Sequence, residues 1–144
     1  MSKGRIATAS VTIDADPERV WAALTDPALI SRYMFGSTVT SDWTVGSTIT
    51  YAGEYEGKSY EDHGEILEID PPRTLRSTHF SPLSGQPDVP ENYHELTYTL
   101  SAEGGSTKLQ LTQDNNGSDE EAEHSAANWK QMLDGLKSVV ESTP

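Results

Sequence analysis

The longest regular pattern of apolar residues lies near the end of the chain. Between residues 118 and 141, apolar side chains recur at helical spacing, which places them on one face of an α-helix. The large members of this stripe are Trp129, Met132, Leu133, Leu136 and Val140. Its earlier members are small, namely Ala122, Ser125 and Ala126. We therefore predict a helix that packs tightly in its second half and leaves space beside its first half.

The start of this helix carries its own signals. Ser118 is a favoured N-cap residue, and Glu121 follows it at the spacing of a capping box. Asp-Pro pairs predict two further helix starts, at Asp16-Pro17 and Asp26-Pro27, because Asp caps a helix and Pro suits its first position. We expect two short helices here, joined by a tight break.

Alternation of apolar and polar residues predicts strands in most of the remaining chain. Within residues 5–14 the alternate positions Ala7, Ala9, Val11 and Ile13 are apolar, as in a half-buried strand. Further strands are predicted at residues 37–43, 47–55, 59–70, 73–80, 93–102 and 107–113. Glu56-Gly57-Lys58 indicates a hairpin turn, and the failed alternation at residues 66–69 indicates a β-bulge.

The order of these elements predicts an α+β fold. Strands joined by short turns favour an antiparallel sheet of about six or seven strands, which would curve around the C-terminal helix. We expect residues 1–144 to form a single domain. The irregular, proline-rich stretch at residues 81–92 is a candidate lid because long loops between strands often carry function.

Composition restricts the partners that we expect. Ten Lys and Arg against 23 Asp and Glu give a formal charge of −13, which disfavours nucleic acids and anionic membrane surfaces. The chain lacks cysteine, so disulfides and thiolate chemistry are excluded. It also lacks an apolar run typical of a signal peptide or a membrane span. These features predict a soluble, acidic, cytoplasmic protein.

Three segments resemble those of a known family. They are IDADPERVWAALTDP at residues 13–27, GEILEIDPPRTL at residues 64–75, and the terminal helix with its Asn128-Trp129 pair. In this order they resemble the START-like, Bet v 1-like (SRPBCC) superfamily, and within it the AHSA1-like family, named after the activator of the heat-shock protein 90 ATPase. The resemblance implies a helix-grip fold. It also implies either a hydrophobic ligand cavity or a role as a chaperone cofactor.

In such a fold, the cavity would lie between the sheet and the terminal helix. Aromatic residues predicted to face inwards either line it or fill a solid core. The small residues at the start of the helix stripe favour a cavity. The residues that we predict to line it are Trp21, Leu24, Tyr33, Ile49, Tyr51, His79, His94, Tyr98, Ala122, Ser125, Ala126, Trp129, Met132 and Leu133.

Two histidines are the candidates for chemistry. His79 and His94 fall on strands that the loop connects, and strand alternation points both inwards. Inward histidines either act as acid–base groups or make structural hydrogen bonds. His63 and His124 lack the spacing of a metal site, so we expect no metal and no cofactor.

The carboxylates of the central strands are predicted to lie at the surface. They are Glu54, Glu56, Glu61, Asp62 and Glu65.

Three hypotheses for function remain open. The first is non-catalytic binding of a small hydrophobic molecule, lipid or polyketide-like. The second is a chaperone-cofactor or protein-interaction module. The third is a cyclase or hydratase that uses His79 or His94.

Overall fold

The computed structural model describes residues 4–34, 36–55, 57–82 and 85–142. The strands are β1 (Arg5–Ile13), β2 (Thr38–Ser41), β3 (Thr48–Tyr55), β4 (Lys58–Asp70), β5 (Thr74–His79), β6 (His94–Glu103) and β7 (Ser106–Asn116). The helices are α1 (Pro17–Thr25), α2 (Pro27–Tyr33) and α3 (Asp119–Ser142). All strands pair antiparallel in one seven-stranded sheet with the order β1-β7-β6-β5-β4-β3-β2. This confirms the predicted α+β helix-grip fold.

The two short helices begin where the Asp-Pro pairs predict. The Oδ1 atom of Asp16 accepts a hydrogen bond from the backbone N–H of Arg19 at 3.0 Å. Oδ1 of Asp26 accepts one from the N–H of Ala28, also at 3.0 Å. Each carboxylate thereby satisfies a backbone donor that has no partner within the helix. Asp26 also ends α1, since its N–H donates to the carbonyl of Ala22.

The start of α3 is capped nearly as predicted. The Ser118 hydroxyl oxygen accepts a hydrogen bond from the N–H of Glu121 at 3.1 Å. The Glu121 carboxylate reaches back to the N–H of Gly117 at 2.9 Å, one residue earlier than in the usual capping box. Two backbone donors at this end of the helix are therefore satisfied by side chains.

Helix α3 lies against the β1 edge of the sheet. In its second half the side chains of Leu133 and Leu136 are fully buried, as the apolar stripe predicts. On its flank, Lys130 Nζ donates to the carbonyl of Ser10 at 3.1 Å and Lys137 Nζ to that of Thr12 at 2.9 Å. These lysines bond backbone carbonyls of the edge strand β1, which protects this edge from pairing with another chain.

The middle of the sheet contains the predicted irregularities. The register of β4 against β5 shifts between Ile66 and Glu68, which confirms the β-bulge. The predicted hairpin turn joins β3 to β4, but Glu56 lies outside the described residues. Close to the bulge, β4 and β5 approach closely at Gly64, where an added Cβ would lie 1.7 Å from the carbonyl oxygen of Thr78.

The loop between β5 and β6 folds against the outer face of the sheet. Asp88 Oδ2 lies 3.0 Å from Nε2 of His63, and Asp88 Oδ1 accepts a hydrogen bond from the Tyr93 hydroxyl at 2.5 Å. The ring of Tyr93 stacks on that of Phe80, which is buried. The described residues of this loop do not line the cavity on the inner face, so our prediction of a lid is wrong for them.

Candidate functional site

A cavity of about 350 Å³ lies between the inner face of the sheet and the first half of α3. Every strand from β3 to β7 contributes to its wall, together with α3 and the chain that follows α2. It is lined by Met34, Ser37, Tyr51, Tyr60, Asp62, His79, Leu96, Tyr98, Gln113, Ser125, Asn128, Trp129 and Met132. Asn128 is exposed, so the cavity reaches the surface beside α3.

Four large aromatic side chains contribute to the cavity wall. Tyr51, Tyr60 and Tyr98 project from the sheet, and Trp129 projects from the helix. Tyr60 lies over Gly53, its neighbour on β3, where an added Cβ would come within 2.7 Å of the phenol oxygen. The absence of a side chain at Gly53 therefore leaves room for the ring of Tyr60.

The polar end of the cavity is built on a carboxylate and an imidazole. Oδ2 of Asp62 on β4 lies 3.1 Å from Nε2 of His79 on β5, and their side chains are 17% and 16% exposed. The other polar atom of each group, Asp62 Oδ1 and His79 Nδ1, is buried without a hydrogen-bond partner among the described residues. An imidazole beside a carboxylate can accept a proton and pass it on.

Our prediction of Asp62 at the surface is wrong, and the sequence contains the signal that would have corrected it. The register of β3 against β4 pairs Tyr55 with Lys58 and places Tyr51 opposite Asp62. Residues that are directly opposite share one face of a sheet. An inward Tyr51 therefore requires an inward Asp62.

Several other polar groups around the cavity have protein partners. Nε1 of Trp129 donates to Oε1 of Gln113 at 2.7 Å, which fixes the indole of α3 against β7. The Ser125 hydroxyl donates to Oδ1 of Asn116 at 2.9 Å. The hydroxyls of Ser37 and Tyr60 lie 2.7 Å apart. Asp62 Oδ1 and His79 Nδ1 are the polar atoms of the lining that are fully buried and have no hydrogen-bond partner among the described residues.

Burial controls the ionisation of the phenols in and beneath the cavity. It raises the pKa of Tyr98 and, together with the charges of neighbouring tyrosines, that of Tyr33. Burial also raises the pKa of Tyr51, and the nearby Asp62 carboxylate raises it further. These tyrosines are therefore neutral at pH 7, and their hydroxyls serve as hydrogen-bonding groups rather than charges.

Some of the residues that we predicted to line the cavity do so. They are Tyr51, His79, Tyr98, Ser125, Trp129 and Met132. Leu24, Tyr33 and Ile49 lie deeper, around a separate void of about 10 Å³. The hydroxyl of Tyr33 donates to the carbonyl of Ala23 at 2.7 Å, which fixes α2 against α1. These three residues therefore form the floor beneath the cavity.

The remaining predicted residues lie beside the cavity. Leu133 is fully buried in the packing of α3, whereas Trp21, Ala122 and Ala126 are half-buried. His94 pairs directly with His79 across β5 and β6. Its Nδ1 lies 2.8 Å from the carbonyl of Asp114, so its ring is occupied by a backbone contact. Of the two candidate histidines, His79 is the one that lines the cavity.

Sequence reasoning also missed several lining residues. They are Met34, Ser37, Tyr60, Asp62, Leu96, Gln113 and Asn128. Strand alternation is sufficient to place Leu96 and Gln113, since both continue the inward pattern of their strands. Met34 and Ser37 flank the end of α2, where no periodic pattern applies.

A second depression, of about 420 Å³, lies on the outer face of the sheet. Its wall includes His63, Asp88 and Tyr93, whose polar atoms bond to one another. The hydrogen bond to Asp88 raises the pKa of Tyr93 to about 12. Because these groups satisfy each other, the inner cavity is the better candidate site.

The described residues contain neither a metal-binding cluster nor a membrane-spanning helix. Across residues 4–142, apart from the gaps noted above, no group of three or more His, Asp or Glu side chains is arranged to hold a metal ion. In the same part of the chain, no helix has the length and apolar character that a membrane span requires.

Comparison with known families identifies the family of this chain. The family model described as "Activator of Hsp90 ATPase homolog 1-like protein" (AHSA1) matches residues 14–141. The chain belongs to the AHSA1 family. A comparison of this AHSA1 protein with curated proteins found no match.

Solved structures share the fold of this AHSA1 protein. The solution structure of ChR145 from Cytophaga hutchinsonii is 48% identical, with a TM-score of 0.85, and the alignment covers 99% of this chain and 97% of that one. An Aha1 dimer from Colwellia psychrerythraea is 21% identical, with a TM-score of 0.73 and coverages of 95% and 96%. DynU16, described as a putative protein in the dynemicin biosynthetic locus, is 18% identical, with a TM-score of 0.78; the alignment covers 95% of this chain and 47% of DynU16.

Proposed function

We propose that this AHSA1 protein binds a small, mainly apolar molecule in the cavity between the sheet and α3 and does not transform it. The observation that carries the proposal is the cavity itself. Its volume of about 350 Å³ falls within the range of small-molecule sites. Aromatic walls with a few polar groups at one end are the usual composition of such sites.

The packing of α3 supports the same proposal. Leu133 and Leu136 in its second half are fully buried, whereas the wall of the cavity is formed by Ser125, Trp129 and Met132. The helix is therefore held firmly at one end while open space remains at the other. DynU16, which shares this fold, is described as a putative protein in a biosynthetic locus, so lipids and polyketide-like molecules are the ligands that we test.

The test uses a blocked cavity and a matched control. Asn128→Trp places a large ring at the mouth of the cavity, whereas Gln131→Trp adds the same ring to the same helix at an exposed position outside the lining. We expect compounds from a lipid and polyketide panel to raise the melting temperature of the wild type and of Gln131→Trp, but not of Asn128→Trp. Ligand at a hundred times its Kd stabilises a protein by about 2.7 kcal/mol. Equal shifts in all three proteins would contradict the proposal.

The family description favours a second function, that of a chaperone cofactor. This function requires a protein-binding surface rather than a cavity. Stimulation of the heat-shock protein 90 ATPase by the purified protein would support it, and equal stimulation by Asn128→Trp would separate it from ligand binding. An unchanged ATPase rate at saturating protein would count against it.

The pair Asp62–His79 favours a third function, acid–base catalysis of the cyclase or hydratase kind. His79 is the candidate acid–base group because it lines the cavity and His94 does not. Turnover of a bound panel compound that disappears in His79→Ala and persists in His94→Ala would support this function. Equal turnover in both variants would contradict acid–base catalysis by His79.

A further inference from the structure

The described part of the cavity wall carries a negative charge without a lysine or arginine to neutralise it. Among the described residues that line it there is one carboxylate, Asp62, and one imidazole, His79, but neither a lysine nor an arginine. A ligand carboxylate would lie close to Asp62, and the nearby imidazole is already bonded to that residue at 3.1 Å. The cavity therefore disfavours anionic molecules such as fatty acids.

The free hydrogen-bonding atoms of this pair require donors. Because a carboxylate oxygen only accepts, Nε2 of His79 donates its proton to Oδ2 of Asp62. In the neutral ring, Nδ1 is then an acceptor, as is Oδ1 of Asp62. Both atoms are buried without a partner among the described residues. Buried polar groups in native proteins are normally hydrogen-bonded, so a bound molecule would complete this site by supplying N–H or O–H groups.

The walls next to this pair suit a cation. Tyr51, Tyr60, Tyr98 and Trp129 surround the same space, and the ring of Tyr51 lies 5.8 Å from that of His79. The faces of aromatic rings carry partial negative charge and attract ammonium groups. The formal charge of the whole chain, −13, acts in the same direction because it raises the local concentration of cations.

We propose that the ligand of this cavity is an organic amine, an apolar ring system that carries a protonated amino group. The amino group donates to Oδ1 of Asp62 and Nδ1 of His79, and the ring system lies against the tyrosines and Trp129. An alcohol is less suitable because its hydroxyl provides one proton for two acceptors, whereas an ammonium group provides three. This proposal rests on the proposed ligand binding and names the ligand class.

The test compares three probes that share one ring. They are 2-(1-naphthyl)ethylamine, 2-(1-naphthyl)ethanol and 1-naphthylacetate, which carry an ammonium, a hydroxyl and a carboxylate. Isothermal titration of the wild-type protein at physiological salt should show the amine binding about tenfold more tightly than the alcohol, with the carboxylate weakest. Salt at this concentration screens distant surface charges, so the difference reports the cavity.

A matched pair of variants identifies the responsible carboxylate. Asp62→Asn removes the charge from the cavity, whereas Asp88→Asn removes a similar charge that lies beside His63 on the outer face of the sheet. We expect Asp62→Asn to lose the preference for the amine and to keep its affinity for the alcohol. Asp88→Asn should retain the wild-type preference.

The outcomes separate this proposal from the one on which it rests. If the alcohol or the carboxylate binds the wild type as tightly as the amine, or if Asp62→Asn keeps the preference, the amine proposal is overturned and ligand binding stands. If none of the three probes binds while panel compounds still stabilise the wild type and not Asn128→Trp, only the amine proposal is overturned; if neither the probes nor the panel compounds bind, both proposals are overturned. The ranking in the wild type decides the question even if Asp62→Asn does not fold.

Discussion

Nε2 of His79 lies 3.1 Å from Oδ2 of Asp62, and this contact joins β5 to β4 inside the cavity. The two side chains are largely buried, and Tyr51 meets the imidazole edge to face. A buried pair of this kind stabilises a fold less than its geometry suggests, because both groups lose their contacts with water. The two residues depend on each other, because removing either one leaves the other buried without its hydrogen-bond partner.

This dependence predicts coupled mutational effects. We expect Asp62→Ala and His79→Ala each to lower the free energy of unfolding by about 1–3 kcal/mol, because each leaves a buried polar group unpaired. The double variant should lose less than the sum of the two, with a coupling energy of about 0.5–3 kcal/mol. Urea unfolding of the four proteins measures this cycle. Additive losses would show that the two residues act independently.

Replacing Gly64 and Gly135 by alanine should change the stability of the protein in opposite directions. At Gly64 an added Cβ would lie 1.7 Å from the Thr78 carbonyl oxygen, so the strands must move apart. We expect Gly64→Ala to destabilise the protein by about 1–3 kcal/mol or more. At Gly135, within α3, the nearest atom would be Cβ of Tyr33 at 3.5 Å, an ordinary contact. Gly135→Ala should stabilise the helix by up to about 1 kcal/mol.

Thermal unfolding of both glycine variants checks this prediction. The two substitutions add the same methyl group, so a difference of sign isolates the effect of the surroundings. Destabilisation by Gly135→Ala as large as that by Gly64→Ala would show that α2 packs against α3 too closely for a methyl group. Close packing of this kind would explain why α3 has a glycine at position 135.

The cap of α3 provides a further prediction. The Ser118 hydroxyl accepts a hydrogen bond from the N–H of Glu121, and its removal in Ser118→Ala should cost about 1 kcal/mol. Ser138→Ala is the matched control, because this serine lies on an exposed face within the same helix. It should leave the stability unchanged or raise it slightly, since alanine favours helices. Equal losses in urea unfolding would contradict a specific role for the cap.

The framework of the fold was predictable because it depends on local chemistry. Asp16 and Asp26 cap their helices through their own neighbours, and the stripe from Trp129 to Val140 is set by helical spacing alone. None of these signals requires knowledge of distant residues. Side-chain size along one face of α3 does not locate the cavity, because Ala122 and Ala126 lie beside it whereas Trp129 and Met132 line it.

The cavity was less predictable because its wall combines residues from six elements. Strand alternation gives the face of a residue but not its height along the sheet. For this reason Leu24 and Ile49 were correctly placed inside and yet lie below the cavity. Asp62 was misplaced because charge was taken as a guide to exposure. The register of the β3–β4 hairpin, which pairs Asp62 with Tyr51, was the stronger signal.

Alkaline pH should unfold the protein through its buried phenols. Burial raises the pKa of Tyr33, Tyr51 and Tyr98, whereas a phenol in the unfolded chain has a pKa of about 10. The unfolded state therefore releases these protons at lower pH than the folded state. The stability linked to them is present below pH 10 and is lost as the pH rises further.

Phenolate absorbance and circular dichroism, followed together from pH 8 upwards, test this linkage. We expect the buried tyrosines to ionise only as the secondary structure is lost. Tyr93 provides the control, because its hydrogen bond to Asp88 raises its pKa to about 12 on the outer face of the sheet. In Asp88→Asn its ionisation should move towards pH 10 while unfolding of the core stays unchanged. Complete ionisation of all tyrosines near pH 10 in a folded protein would show that the cavity is open to water.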